Sequence, residues 1–157
     1  MNKSLNLESV CHSVAAMARE LGRDIRTKQL QLTDSQIHQK DFHDYVTEVD
    51  KYSEEYIVDR LQRMLPGSSF LAEEGTAKDE AKTDLEWIID PIDGTTNFIH
   101  GLPVFAISIA LRKEGKLAMG MVHEVMQEES FCAWEGSAAY LNGQKIEVSK
   151  CEKLAPS

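Results

Sequence analysis

The order of hydrophobic patterns along the 157-residue chain predicts an α+β fold, in which two N-terminal helices pack on a mostly antiparallel sheet. Apolar residues recur at helical spacing from Leu7 to Leu21, and again after Thr47. From about residue 68 onward, short apolar or alternating runs are separated by turn residues, which is typical of strands. The length fits one domain, or part of a larger one, over residues 1–157.

The first helical pattern has clear signals at both ends. Ser4 and Asn6 are both suitable N-caps, and Gly22 predicts the end of the helix. The segment that follows, residues 27–40, is polar and has no clear period. It fits either an extension of the helix or a mobile connection.

The second helix is predicted to begin near Thr47. The sequence TEVD has the form of a capping box in which Asp50 takes the place of the usual glutamate. An apolar stripe then continues to Leu65, and the Pro66-Gly67 pair predicts the end of the helix.

Six runs are predicted to form strands. They are SSFLA, EWIID, VFAISIALR, KLAMGMVHE, ESFCAW and KIEVS. Glu114-Gly115 and Asn142-Gly143 lie between or beside these runs and predict hairpin turns, of which Asn-Gly is the stronger signal.

Composition excludes several classes of function. The net charge of -9 argues against non-specific binding of nucleic acid or of an anionic membrane. No apolar run approaches the ~20 residues of a membrane span, and no export signal is evident, so we expect a cytoplasmic protein. Three distant cysteines and five histidines without ligand spacing predict reduced thiols and structural or surface imidazoles. An anionic substrate would need a local inversion of charge, from a metal ion or a basic pocket.

Acidic residues at the edges of predicted elements are the main candidates for a functional site. They are Asp50, the Glu73-Glu74 pair, Asp90, and Asp93 across a predicted Pro91-Ile92 turn. Each has an ordinary structural explanation: Asp93 is a good N-cap, Asp50 suits a helix N-terminus, and a pair of glutamates suits a solvated loop. Carboxylates brought together, however, need a compensating cation, and oxygen ligands without His or Cys suit Mg²⁺, Mn²⁺ or Ca²⁺.

The segment after Asp93 has the features of a phosphate site. Gly94 permits close backbone approach, and free N–H groups where a helix begins would receive a phosphate oxygen. A metal ion together with these N–H groups would supply the charge inversion that an acidic protein needs to hold a phosphate ester.

Three motifs carry a resemblance to a known family. DYVTEVD, AEEG and DPIDGTTNF occur in this order, and GLPVFAISIAL, GMVHEV and FCAWEGSAAYLNGQKIEVS follow. From about Leu5 to Ser149 the chain resembles the inositol monophosphatase family of Mg²⁺-dependent, lithium-sensitive phosphomonoesterases. The resemblance implies the N-terminal half of the sugar-phosphatase fold, with the C-terminal α/β half absent.

The resemblance also implies roles for individual residues. The implied metal ligands are Glu73, Asp90, Asp93 and the backbone carbonyl of Ile92. The backbone amides of Gly94 and Thr95 would bind the phosphate. Asp50 and Thr95 would orient or deprotonate the attacking water, and Glu73 is an implied catalytic residue as well as a ligand. Lys40 matches a lysine that lies near the site in the family.

Two departures from the family pattern affect the interpretation. Gly75 replaces the serine that usually follows the acidic pair, and we expect only a minor change of loop geometry. The second half of the family carries a Trp-Asp motif that completes the metal site, and neither Trp87 nor Trp134 is followed by Asp. We therefore expect one of three situations: a truncated chain, a homodimer whose second copy supplies the missing surface, or a stand-alone binding module.

Two functions remain open at this point. The first is Mg²⁺-dependent hydrolysis of a small phosphate monoester, inositol monophosphate or a related sugar phosphate, by metal-activated water. The alternative is a non-catalytic Mg²⁺- or phosphate-binding or interaction module. A calcium-binding structural domain is disfavoured because no EF-hand spacing is present.

Overall fold

The computed structural model describes residues 5–41, 44–75 and 83–151, and the α+β prediction is confirmed. The described helices are α1 (Leu7–Gln29), α2 (Glu48–Met64), α3 (Thr95–Ile99) and a short 3₁₀ helix (Asp34–Gln36). The described strands are β1 (Ile37–Asp41), β2 (Asp44–Thr47), β3 (Ser69–Ala72), β4 (Leu85–Asp93), β5 (Ala106–Lys113), β6 (Lys116–Glu124), β7 (Glu129–Trp134), β8 (Ala139–Leu141) and β9 (Gln144–Ile146).

Seven of the strands form one sheet in sequence order, from β3 at one edge to β9 at the other. Only the β3–β4 pair is parallel among these strands, and every other neighbouring pair is antiparallel. β1 and β2 form a separate antiparallel hairpin. The parallel pair matters for function because it brings the C-terminal ends of β3 and β4 to the same side of the sheet.

The hydrophobic core lies between one face of this sheet and the helices α1 and α2. The helices contribute Val14, Leu21, Ile25, Ile57 and Leu61, and the strands contribute Trp87, Ile107, Ile109, Leu111 and Met121, all with side chains at most 1% exposed. Burial alternates along β5, as expected for a strand with one face in the core.

Helix α1 is longer than we predicted from the position of Gly22. Asn6 is the N-cap and accepts a hydrogen bond from the Ser9 amide, which confirms one of the two candidates. The prediction that Gly22 ends the helix is wrong, because α1 continues to Gln29 and buries Ile25. Gly22 instead permits close packing: a Cβ at this position would lie 2.9 Å from His123 Nε2.

The second helix is confirmed at both ends. Thr47 and Asp50 form a complete capping box, and α2 stops just before Pro66.

The predicted Pro91-Ile92 turn is wrong, since β4 continues through it to Asp93. Asp90 pairs with Ser108 and Asp93 pairs with Ala106, so the pairing register shifts between them. A bulge is one of the few places in a sheet where proline is tolerated, because proline has no N–H to donate.

Both predicted hairpin turns are confirmed. Glu114-Gly115 joins β5 to β6 and Asn142-Gly143 joins β8 to β9, with positive φ angles at all four residues. The β1–β2 hairpin and β8 were not predicted, and β9 ends at Ile146 instead of continuing to Ser149.

The sheet face opposite α1 and α2 has no covering layer among the described residues. Val122 and Phe131 pair on this face and are 40% and 38% exposed. They border an apolar groove of about 250 Å³ that also includes Ala110, Gly120 and Ile146. None of the helices in the described part of the chain has the length and apolar character needed to cross a membrane.

Candidate metal and phosphate site

Asp50 is held at the start of α2 by the same interactions that cap the helix. The Thr47 amide donates to Asp50 Oδ2 at 2.8 Å, and the Thr47 hydroxyl also donates to this oxygen. The other oxygen, Oδ1, accepts a hydrogen bond from the Thr95 hydroxyl at 3.1 Å. Asp50 is 1% exposed, and burial raises its pKa although the bonds from Thr47 and Thr95 act in the opposite direction.

Thr95 connects α2 to the end of β4. Its hydroxyl lies 3.0 Å from the carbonyl oxygen of Ile92 as well as near Asp50. Gly94 precedes it with φ +100° and is the N-cap of α3, without a side-chain cap. A Cβ on Gly94 would meet the Val104 carbonyl oxygen at 3.1 Å, so both the conformation and the space at this position favour glycine.

The proposed structural role of Asp93 as an N-cap is wrong. Gly94 occupies the cap position of α3, and Asp93 is an exposed residue at the end of β4. Its carboxylate is therefore not used to begin the helix. The structure leaves this side chain available beside the bulge that also contains Ile92.

The parallel pairing of β3 and β4 places Glu73 beside Asp90. Ala72 pairs with Ile89, and the Glu73 amide donates to the Ile89 carbonyl at 3.2 Å. Glu73 and Asp90 therefore follow paired positions on neighbouring strands. The next amide, that of Glu74, donates to the carboxylate of Glu54 on α2 at 2.6 Å.

The pKa of Asp90 is strongly raised. Burial, then the Glu73 carboxyl and then the charge of Asp93 raise the pKa of Asp90 to about 7, against an ordinary value of 3.8. Its Oδ1 atom is buried and has no hydrogen-bonding partner among the described residues. Burial together with neighbouring negative charge disfavours an ionised carboxylate unless a cation is present.

The residue types of this arrangement suit a hard divalent cation, but their positions do not form a complete metal site. No group of three His, Cys, Asp or Glu side chains within residues 5–41, 44–75 and 83–151 is positioned to hold a metal ion as it stands. The candidate residues supply carboxylate and carbonyl oxygens, which are the donors that Mg²⁺ prefers.

The predicted site residues thus form two adjoining groups. One contains Glu73, Asp90 and Asp93; the other contains Asp50, Thr95 and the Ile92 carbonyl, and Gly94 joins the two. The side chain of Lys40 lies outside the described part of the chain, as does His43.

Sequence reasoning missed Glu54. This residue is 0% exposed and lies four positions after Asp50, hence on the same face of α2. The signal was available, because an acid within the apolar stripe of a helix interrupts the pattern without an evident reason.

A cavity and two buried cysteines lie away from the candidate acids. A cavity of about 520 Å³ lies beside α1, β7 and β8 and includes Arg19, Ser130 and Cys132, but none of the candidate acids. Cys11 and Cys132 are buried and form no disulfide within the described part of the chain. A hydrogen bond from Cys11 lowers the pKa of Cys132.

Comparison with known proteins agrees with the motifs. The sequence model of the inositol monophosphatase family matches residues 6–157. The Nus factor SuhB of Pasteurella multocida is 36% identical over 155 residues, which cover 99% of this chain and 56% of that protein. The fructose-1,6-bisphosphatase/inositol-1-monophosphatase of Thermotoga maritima is 46% identical over 113 residues, covering 72% of this chain and 43% of that protein.

The structural comparison agrees as well. The extragenic suppressor protein suhB from Bartonella henselae superposes with a TM-score of 0.85 at 34% identity, over 91% of this chain and 55% of that chain. The chain spans about half the length of the curated relatives that it matches. The matched length, the identity and the shared fold lead to one conclusion: the chain belongs to the inositol monophosphatase family.

Proposed function

We propose that this chain carries the metal- and phosphate-binding part of a Mg²⁺-dependent phosphatase that hydrolyses inositol monophosphate or a related sugar phosphate. The observation that carries the proposal is the hydrogen bond between Thr95 and the buried Asp50, next to a carboxylate group in which Asp90 has a pKa of about 7. Sensitivity to lithium and a homodimeric state belong to the same proposal.

In this proposal the acids of β3 and β4 hold the cation. Glu73, Asp90 and Asp93 contribute carboxylates, and Ile92 contributes its backbone carbonyl. Bound Mg²⁺ would activate water and offset the negative charge of the phosphate. The backbone amides of Gly94 and Thr95 would receive phosphate oxygens.

Asp50 and Thr95 would handle the proton of the attacking water. The Thr95 hydroxyl lies 3.1 Å from Asp50 Oδ1 and 3.0 Å from the Ile92 carbonyl oxygen. Both of these oxygens accept, so the hydroxyl proton points toward them and the Thr95 oxygen can accept a hydrogen bond from water. The backbone and hydroxyl of Thr47 occupy Asp50 Oδ2, which holds the carboxylate in one orientation. Burial raises the pKa of Asp50, which makes its carboxylate a better proton acceptor.

Phosphate release from inositol monophosphate tests the proposal. We expect Mg²⁺-dependent release by the chain and a loss of about 100-fold or more in Asp93→Asn, because even residues that only support metal ligands are worth 10–100-fold. Asp84→Asn is the matched control, since Asp84 is an exposed aspartate that immediately precedes the other end of β4. Activity that is the same in wild type and Asp93→Asn would contradict the assignment.

A second candidate function is a non-catalytic Mg²⁺- or phosphate-binding or interaction module. It is favoured by one observation: the relative from Pasteurella multocida is named a Nus factor, a name that states no enzymatic reaction. This function predicts Mg²⁺ binding in calorimetry, lost in Asp90→Asn, without turnover of any phosphomonoester. Robust turnover by the 157-residue chain would exclude it.

A further inference from the structure

One face of α2 carries two buried acids that reach two different segments of the site. Asp50 and Glu54 are four residues apart and are 1% and 0% exposed. A carboxylate is rarely buried in a protein unless a hydrogen bond or a charge compensates for the lost hydration. Asp50 contacts Thr95, which follows β4, whereas Glu54 contacts the backbone after β3.

The contact of Glu54 fixes the peptide next to a proposed metal ligand. The Glu73 amide donates to the Ile89 carbonyl at 3.2 Å, and the Glu74 amide donates to Glu54 Oε2 at 2.6 Å. The N–H groups on both sides of the Glu73 side chain are therefore tied, one to β4 and the other to α2. With two successive amides held, the direction of the Cα–Cβ bond of Glu73 is restricted.

The contact with Glu54 restrains a segment that lies beyond the end of β3. β3 ends at Ala72, so the β3–β4 ladder itself does not hold Glu74. Gly75 follows with φ +67° and is exposed, and glycine allows the chain many conformations. Glu54 is fully buried and its Oε2 atom accepts the hydrogen bond of the Glu74 amide at 2.6 Å, so its side chain is suited to hold this segment.

We propose that Glu54 is a positioning residue for the metal site: by accepting the hydrogen bond of the Glu74 amide, it holds the Glu73 carboxylate beside Asp90. This role of Glu54 rests on the proposed Mg²⁺ binding. It adds to that proposal a residue that positions a metal ligand without being a ligand itself. α2 then connects the two halves of the site, through Asp50 to Thr95 and through Glu54 to Glu73.

Calorimetric titration with Mg²⁺ tests this role in two variants. Glu54→Gln keeps an oxygen acceptor for the Glu74 amide, whereas Glu54→Ala removes it. We expect Glu54→Ala to weaken Mg²⁺ binding about 10- to 100-fold, and Glu54→Gln to weaken it less than about 5-fold. Ser53→Ala is the control, because Ser53 is equally buried on α2 and its hydroxyl has no hydrogen-bonding partner among the described residues.

Two outcomes of this titration would overturn the proposal. A folded Glu54→Ala variant that binds Mg²⁺ as tightly as wild type shows that Glu54 does not position a ligand. An equal loss of Mg²⁺ affinity in Glu54→Gln and Glu54→Ala shows that the acceptor oxygen of Glu54 does not position Glu73. If Glu54 only stabilises the fold, Glu54→Gln and Glu54→Ala should both lower the melting temperature and should not differ in Mg²⁺ affinity.

Hydrogen exchange of the unmodified, metal-free chain gives a second readout that does not depend on folding of a variant. We expect the Glu74 amide to exchange at least about 100-fold more slowly than a freely exposed amide, because it is bonded to a buried carboxylate. Rapid exchange at Glu74 contradicts the proposal. If wild type binds no Mg²⁺ at all, the proposed function fails, and exchange at Glu74 then shows only whether Glu54 holds this segment.

Discussion

The carboxylate of Asp90 lies where burial and two neighbouring acids oppose its ionisation. Glu73 and Asp93 approach it because β3 is parallel to β4 and because a bulge directs the end of β4. Without a cation, this arrangement costs stability at any pH where Asp90 is charged. A functional site is the ordinary reason for a protein to retain such a cost.

Asp90→Asn should therefore stabilise the metal-free chain at pH 8. Since the pKa of Asp90 is raised to about 7 in the folded state, its protonated form contributes stability below the unfolded value of 3.8, and this contribution is lost as the pH rises through about 7. We expect a gain of about 1–2 kcal/mol at pH 8, after allowance for solvent screening, and little difference near pH 4.

Urea denaturation in the presence of a chelator measures this effect, with Asp84→Asn as the control. The same Asp90→Asn variant should fail to bind Mg²⁺ in calorimetry. A variant that is less stable than wild type at pH 8 would show that Asp90 contributes to folding through a partner other than a cation.

At the scale of a single element, α1 contains a glycine that continues the helix instead of ending it. Glycine often ends a helix, but Gly22 lies on the buried face of α1 where the helix meets His123 of β6. His123 is 1% exposed, and its Nδ1 atom is hydrogen-bonded to Ser130 at 3.0 Å, so the ring has little freedom to move. The glycine permits the helix to approach the sheet at this point.

Gly22→Ala should consequently destabilise the chain although alanine is the better helix former. Propensity alone would add about 1 kcal/mol of stability. The new Cβ would lie 2.9 Å from His123 Nε2, and relief of such an overlap in a packed core costs about 1–3 kcal/mol. Chemical denaturation measures the balance of these two effects.

The exposed face of the same helix supplies the comparison. Ala16→Gly should cost about 1 kcal/mol through propensity alone, because Ala16 is exposed. A Gly22→Ala variant that is more stable than wild type would refute the close-packing explanation.

At the scale of the whole molecule, the two faces of the sheet differ. One face is covered by α1 and α2, and the other has no covering element among the described residues. Val122, Phe131 and Ile146 are 37–40% exposed on or beside that face. An apolar patch of this kind favours association, which the net charge of -9 opposes through repulsion between copies.

Phe131→Thr should reduce self-association of the chain while leaving the fold intact, because threonine is also favoured in strands. Association of wild type should increase between low and high salt, since salt screens the repulsion and does not weaken apolar contacts. Sedimentation velocity over a range of concentrations and salt measures both effects.

Val148→Thr is the matched control, since Val148 is 92% exposed and lies beyond β9. Equal association of wild type and Phe131→Thr would show that this face is not where copies meet.

Features determined by neighbours in the sequence were predicted well. The Thr47–Asp50 capping box, the end of α2 before Pro66 and the two hairpin turns each depend on a few consecutive residues. The strands β6 and β7 have the predicted bounds because their apolar runs end at turn residues. Asp90 and Asp93 lie in one continuous run of the sequence, so a local motif is enough to make them candidates.

Only the tertiary structure decided the features that depend on distant contacts. Gly22 continues a helix because of His123, and Asp93 is not a cap because β4 extends to it through a bulge. The pKa of Asp90 depends on Glu73, which is brought close by a parallel pairing that no local pattern encodes. Glu54 gained its proposed role in the same way, through a contact with a backbone amide twenty residues away in the sequence. Local patterns reflect short-range backbone preferences, whereas burial and charge interactions arise only when distant segments pack together.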